Sequence, residues 1–120
     1  MRLTDAQQER YARHLLLEGI EGAGQERLLA SRVRVRGFGR AARACALYLA
    51  ASGIGALALD GGDPEGELAA LSPDLRFLGA TEDVDLDIAP EEPAGGGPAD
   101  AAAVGAWVAL EAVRALAGPR

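Results

Sequence analysis

Lysine is absent from this sequence of 120 residues, in which all twelve basic residues are arginine. No lysine amine is therefore available to bind a phosphate or to act in catalysis. Cysteine occurs once, at Cys45, so an intrachain disulfide and a cysteine-rich zinc site are both excluded. Cys45 lies in an apolar run, which predicts a buried structural thiol. The sequence predicts no metal site.

Aromatic residues are also scarce, at 4% of a chain that is 49% hydrophobic. Alanine, leucine and valine must therefore fill the core, and small side chains favour the close packing of helices on a sheet. The net charge of −6 argues against binding to nucleic acid or to an anionic membrane surface. No signal peptide or long apolar span is visible, so we expect a cytoplasmic protein.

Arginines nevertheless cluster in one part of this acidic chain, and the cluster has two interpretations. They are either solvated positions on a strand and a helix, which is the usual meaning of a charge run, or the cationic side of a local anion site. The members of the cluster are Arg32, Arg34, Arg36, Arg40 and Arg43.

The pattern of apolar residues, turn residues and caps predicts alternating strands and helices. The predicted helices span residues 5–17, 25–30, 65–71 and 99–117, and a further long helix opens at the tight turn of residues 37–42 and ends at about residue 52. The predicted strands span residues 33–37, 56–60, 74–79 and 84–88. This order predicts a small Rossmann-like α/β fold. We expect a mostly parallel sheet of about four strands, with helices packed on it and further N-terminal helices.

The chain is predicted to form a single domain with four parts. These are N-terminal helices over residues 1–31, a βαβ core over 32–89, a mobile loop over 90–98 and a C-terminal helix over 99–117. The last helix carries apolar residues over a broad face, which predicts that this face is buried. Its members are Val104, Trp107, Val108, Leu110, Val113 and Leu116.

A glycine turn follows the first predicted strand and opens a helix. Gly37, Gly39 and Ala42 have the spacing of a dinucleotide-binding fingerprint, whose helix N-terminus presents free N–H groups to a phosphate. Asp60 ends the next strand, where a ribose-binding carboxylate is expected. Arg40, inside the turn, would either clasp a phosphate or fill the nucleotide's place. Alternatively, the glycines simply turn the chain within a packed α/β unit.

Several longer motifs occur in a specific order. Residues 3–17 read LTDAQQERYARHLLL, residues 24–33 read GQERLLASRV, residues 47–55 read LYLAASGIG, and residues 105–116 read GAWVALEAVRAL. This order resembles the ThiF/MoeB/HesA group of ubiquitin-activating-like adenylyltransferases. Members of that group open with LT-x-x-Q-x-x-RY-x-RH-x-x-L and carry G-x-x-x-ALEA near their end.

The resemblance implies a Rossmann-like domain that uses ATP to adenylate the carboxyl terminus of a ubiquitin-like sulfur carrier. Arg13 matches an arginine that the family often lends to the partner subunit's site, while His14 is an ordinary helix residue there. The family's Asn-Leu-x-Arg-Gln segment and its lysine are missing, because residues 63–67 run directly into a helix. Glu91 or Asp87 would have to replace the metal-linked aspartate.

Three functions remain open. The first is a degenerate, catalytically inactive scaffold or partner subunit with no catalytic residues. The second is a nucleotide-binding protein, for ATP, AMP or NAD, that uses Gly37, Gly39, Arg40 and Asp60. The third is an adenylyltransferase completed by a partner chain, with Arg13 shared between chains. The resemblance makes ATP the possible cofactor, without zinc, and it implies a homodimer or a partner from a related family.

Overall fold

A computed structural model describes residues 22–95 and 97–118 of the chain. The predicted helix over residues 5–17, together with Arg13 and His14, lies outside the described residues. The elements are α1 (Gly22–Ala30), β1 (Arg32–Val35), α2 (Arg40–Ser52), β2 (Ala56–Leu59), α3 (Glu67–Leu71), β3 (Arg76–Phe77), β4 (Leu86–Ile88) and α4 (Pro98–Ala117).

The four strands form one sheet in the order β3-β2-β1-β4, and each neighbouring pair is parallel. The central strand β1 pairs Val33 with Leu57 of β2 on one side and with Leu86 of β4 on the other. The predicted Rossmann-like fold class is therefore confirmed. Because all strands are parallel, the turns that follow β1, β2 and β4 leave the sheet at the same edge.

The alternating sequence of β1 explains its place in the sheet. Val33 and Val35 are 0% and 1% exposed, while the arginines between and beside them are partly exposed. In β2, Ala56, Leu57 and Ala58 are all buried, as expected of a strand covered on both faces.

Helices α2 and α4 pack against each other through small residues. A Cβ on Gly105 of α4 would overlap the backbone of Ala41 and Cys45 in α2, so the helices approach closely where Gly105 has no side chain. Cys45 is fully buried, which confirms the predicted structural thiol, and burial raises its pKa to about 12. The contact between α2 and α4 at Gly105 is therefore a close approach of the two backbones.

The prediction that the broad apolar face of the last helix is buried was wrong for Trp107 at its centre, because this residue is 59% exposed. Trp107 is two positions from Gly105 and from Ala109, which places it on the opposite side of the helix from both. Val104, Val108 and Leu110 are only partly buried. The buried stripe consists of Ala101, Gly105, Ala109, Ala112, Val113, Leu116 and Ala117.

Several element boundaries also differ from the prediction, among them the start of α1 at Gly22 instead of residue 25 and the end of β1 at Val35 instead of residue 37. Strand β3 pairs with β2 over only two residues, so the third strand is shorter than residues 74–79. Strand β4 begins at Leu86 rather than at residue 84, and α3 begins at Glu67 because Gly66 has a left-handed φ of 70°. Within the described part of the chain, no helix combines the length and the apolar character needed to cross a membrane.

Candidate functional site

The glycine turn lies at the edge of the sheet where β1 ends and α2 begins. Gly37 has φ 111°, a left-handed conformation that favours glycine. Ala42 is buried, and a Cβ built on Gly37 would lie 3.5 Å from its Cβ. The small residue at position 42 therefore lets the start of α2 pack against the turn.

Asp60, the expected ribose ligand, faces this turn. The backbone N–H of Gly37 donates a hydrogen bond to Oδ2 of Asp60 at 2.7 Å. Asp60 follows β2, so its carboxylate ties the end of β2 to the turn after β1. One of its two oxygens therefore has a backbone partner in the described structure.

The first turn of α2 receives a carboxylate that the sequence analysis did not single out. The N–H of Ala41 donates to Oε1 of Glu92 at 2.6 Å, across 51 residues. Gly39, the residue before the helix, offers no side-chain cap, so Glu92 satisfies a donor that would otherwise lack a partner. The negative charge also suits the positive end of the helix dipole.

Gly39 is the residue that lets Glu92 come so close. A Cβ on Gly39 would overlap the Glu92 carboxylate, whereas the φ of Gly39, −84°, is one that any residue adopts. The second glycine of the fingerprint therefore admits an anion at the start of α2, and here that anion belongs to the chain itself. No local motif marks Glu92, because it lies in the segment predicted to be a mobile loop.

A cleft of about 520 Å³ opens on the β2 side of the turn. Val35, Ala46 and Leu59 contribute apolar surface, while Phe38 is 83% exposed within the turn itself. Arg40 also lines the cleft, and it makes no ion pair with any described residue. The cleft therefore combines an exposed ring with a cation that has no carboxylate partner in the described chain.

Two of the clustered arginines share one carboxylate. Nε and Nη2 of Arg36 donate to the two oxygens of Asp87 at 2.8 and 2.7 Å, and Arg34 lies 3.8 Å from Asp87. The hydrogen bond from Arg36 lowers the pKa of Asp87, and Asp87 raises the pKa of Arg36. Asp87 is thus engaged by arginines rather than free to bind a metal.

Arg43 pairs with two acidic side chains near the start of α3. It lies 3.6 Å from Asp63 and donates to Glu67 at 2.8 Å. Burial alone would raise the pKa of Asp63, but the N–H groups of Leu68 and Ala69, together with Arg43, lower it overall. Arg40 and Arg43 both line the cleft, and of these two only Arg40 has no carboxylate partner among the described residues.

The second proposed substitute for the metal-linked aspartate, Glu91, is exposed, and the described structure gives it no polar partner. Among residues 22–95 and 97–118, no three histidine, cysteine or acidic side chains come together as a metal site would require. A triphosphate does not fit at the start of α2 while the Glu92 carboxylate is bound there, because the two negative charges would meet.

A parallel sheet, a glycine turn after its central strand and a helix starting at that turn define a Rossmann-like α/β domain. The described fold is similar to the tRNA N6-threonylcarbamoyladenosine dehydratase TcdA of Escherichia coli. The TM-score is 0.62 at 15% identity, over 86% of this chain and 57% of that protein. The same dehydratase solved in complex with ATP matches with a TM-score of 0.62 at 16% identity. At such low identity, the likeness shows the fold.

Sequence comparison shows which proteins with a Rossmann-like domain the chain is similar to. No family model matches the chain. The sulfur carrier protein ThiS adenylyltransferase of Escherichia coli is 39% identical over 83 residues, which are 69% of this chain and 32% of that protein. A probable molybdopterin-synthase adenylyltransferase of Gracilaria tenuistipitata is 44% identical over 55 residues, which are 46% of this chain and 16% of that protein.

The chain is therefore homologous, over part of its length, to the ThiF/MoeB/HesA adenylyltransferases. The order of its motifs agrees with this homology. The matched segments span about a third or less of the length of those two relatives. Arg13, the last of the residues assigned to the site by resemblance, lies outside the described residues.

Proposed function

We propose that the chain is a catalytically inactive member of this family that acts as a scaffold or partner subunit. The observation that carries the proposal is the hydrogen bond of Ala41 to Glu92, which gives the position of a bound phosphate to a carboxylate of the same chain. An active site for phosphoryl chemistry gathers positive charge at that position. In this chain, a negative charge stands there instead.

The sequence supports the same conclusion. It contains no lysine, and residues 63–67 replace the segment in which relatives carry further polar ligands. Asp87 and Arg43 are paired with other residues of the chain. Each missing contact to a developing charge typically lowers a rate by about 10²–10³. Several such losses together leave no measurable adenylation.

Exchange of labelled pyrophosphate into ATP tests this proposal. The full chain is assayed with Mg²⁺ and a ubiquitin-like sulfur carrier, and the ThiS adenylyltransferase of Escherichia coli with its carrier serves as the positive control. We expect exchange at the level of a protein-free blank. Carrier-dependent exchange above the blank would overturn the proposal and favour an adenylyltransferase completed by a second chain.

The partner that we propose is a second copy of the chain or a protein of a related family, rather than nucleic acid or a membrane. The net charge of −6 disfavours binding to the phosphate backbone of nucleic acid and to anionic lipids. Trp107 of α4 and Tyr48 of α2 are 59% and 54% exposed, and they offer apolar surface to a protein partner. For a homodimer, light scattering should give twice the 12.3 kDa of one chain. A monomer at high concentration would leave only the related-family partner.

A second candidate function is nucleotide binding without catalysis. It is favoured by the cleft, where the exposed ring of Phe38 and the guanidinium of Arg40 offer stacking and charge to a nucleotide. Calorimetry with ATP, AMP and NAD tests this candidate. Heat that disappears in R40A but persists in R114A, where the replaced arginine is exposed and remote in the last turns of α4, would support it.

A further inference from the structure

We propose that Glu92 is an intramolecular occupant of the anion position at the start of α2. Residues 89–95 then act as an autoinhibitory strap, and an external phosphate enters only when Glu92 leaves. This inference goes beyond the proposed function, since it concerns what the turn can bind and holds for either candidate function above.

The contact has the features of a bound anion. The Glu92 carboxylate accepts the N–H of Ala41, and it fills the space that a side chain on Gly39 would occupy. A helix start can bind a phosphate through the same two features, free backbone donors and a glycine that lets the anion approach. A carboxylate held there excludes an external anion both by occupying the space and by repelling its charge.

The strap is anchored at both ends, and its residues 91–95 are exposed or half-buried. Before it, the carbonyl of Ile88 accepts the N–H of Arg36 at 2.8 Å, and Pro90 is buried. After it, the N–H of Gly97 donates to Asp100 at 3.1 Å in the first turn of α4. Glu91, Glu92, Ala94 and Gly95 are exposed, and Pro93 is half-buried. Glu92 can therefore leave the turn without disturbing either anchor.

An incoming anion would still find a positive charge at the turn. Arg40 directly follows Gly39 and has no ion pair with any described residue, unlike Arg36 and Arg43. The apparent affinity for an anion then equals its intrinsic affinity multiplied by the fraction of molecules in which Glu92 is displaced. The strap thus sets a threshold for binding rather than abolishing it.

Charge removal at Glu92 tests the proposal. E92Q keeps the size and a hydrogen-bond acceptor but loses the charge, and E91Q makes the same change on the neighbouring exposed side chain. Each variant and the unaltered chain are titrated with inorganic phosphate, AMP and ATP, and the amide resonance of Ala41 is followed by NMR. We expect E92Q to bind phosphate about tenfold more tightly than the unaltered chain, and E91Q to match the unaltered chain.

The titrations also separate this proposal from others. Tighter binding of phosphate, AMP and ATP alike in E92Q indicates a simple anion position, and a gain shared by AMP and ATP but not by phosphate indicates one that needs the nucleoside; either supports displacement of Glu92. Affinities for phosphate, AMP and ATP that are equal in all three proteins, or no binding of any of the three ligands by E92Q, would overturn the proposal and leave Glu92 a permanent helix cap. Circular dichroism of each variant establishes that it is folded. The pyrophosphate-exchange assay is independent of these outcomes.

Discussion

The two ends of helix α2 are capped in different ways. At its end, Gly53 adopts φ 99° and donates to the carbonyl of Ala50 at 3.2 Å, and Ile54 donates to Leu49 at 3.2 Å. At its start, the cap is Glu92, which comes from a loop 51 residues away. The first cap is a local conformational device, whereas the second depends on the folded chain bringing a charge to the turn.

The difference between the two caps indicates which part of the molecule can change its function while the fold is kept. The local cap is encoded within a few residues and stops the helix whatever surrounds it. The distant cap requires the sheet, the loop and the turn together, and it occupies the start of α2, where a glycine turn of this kind can receive an anion. A single carboxylate in a loop can thus alter the site while the sheet and helices remain.

The largest loss of stability is expected from a substitution where α4 packs closely on the first half of α2. In G105A the new methyl group would overlap the backbone of Ala41 and Cys45. We expect a loss of about 1–3 kcal/mol in the free energy of unfolding, although alanine favours helices over glycine. Urea unfolding measures the loss. W107A, on the exposed side of the same helix, should change stability by less than about 0.5 kcal/mol.

Breaking the local cap should have the next largest effect. G53A forces alanine into a left-handed conformation, which costs about 1–2 kcal/mol. G79A is the matched control and should lie near the unaltered chain, because a Cβ added at Gly79 would make only an ordinary contact, with the side chain of Glu82. Thermal unfolding of both variants gives the comparison, and equal Tm values for the two would show that the αL conformation of Gly53 is not required.

Breaking the distant cap should cost somewhat less. E92A leaves the N–H of Ala41 without its carboxylate, and loss of a helix N-terminal cap typically costs about 1 kcal/mol. E91A should be neutral, because Glu91 has no polar partner in the described structure. Chemical unfolding of both variants provides the test. A destabilisation shared by E91A and E92A would point to the charge of the loop instead of the hydrogen bond.

The smallest effect is a pH dependence at the start of α3. The pKa of Asp63 is lowered in the folded state, so its contribution is present above the unfolded-state value of about 3.9 and is lost as the pH falls through the folded-state pKa. D63N should be less stable than the unaltered chain near neutral pH, and the gap should close in acid. E65Q is the control. A gap that stays constant with pH would contradict the role assigned to Asp63.

The sequence predicted most of the fold because its main features are local. The alternating valines of β1, the apolar run of β2 and the glycines at Gly37 and Gly53 each specify structure within a few residues. Trp107 was misplaced, because apolar character alone does not show which helix face lies closest to its neighbour. That choice depends on backbone approach at Gly105, which only the packed helices reveal.

The site was less predictable than the fold. Gly37, Gly39, Ala42 and Asp60 do come together at the turn, as the fingerprint indicated, but Asp60 braces Gly37 in the described structure. Glu92 carries no motif, and its position follows from the path of the loop between β4 and α4. Charges that meet across 51 residues cannot be paired from spacing alone.

The most direct measurement is a through-hydrogen-bond NMR coupling between the amide nitrogen of Ala41 and the side-chain carboxyl carbon of Glu92. We expect this coupling in the unaltered, isotope-labelled chain, with slow solvent exchange of the Ala41 amide that becomes faster in E92A. An Ala41 amide without the coupling, freely exchanging and shifting readily when phosphate is added to the unaltered chain, would contradict a turn that is already filled by its own carboxylate.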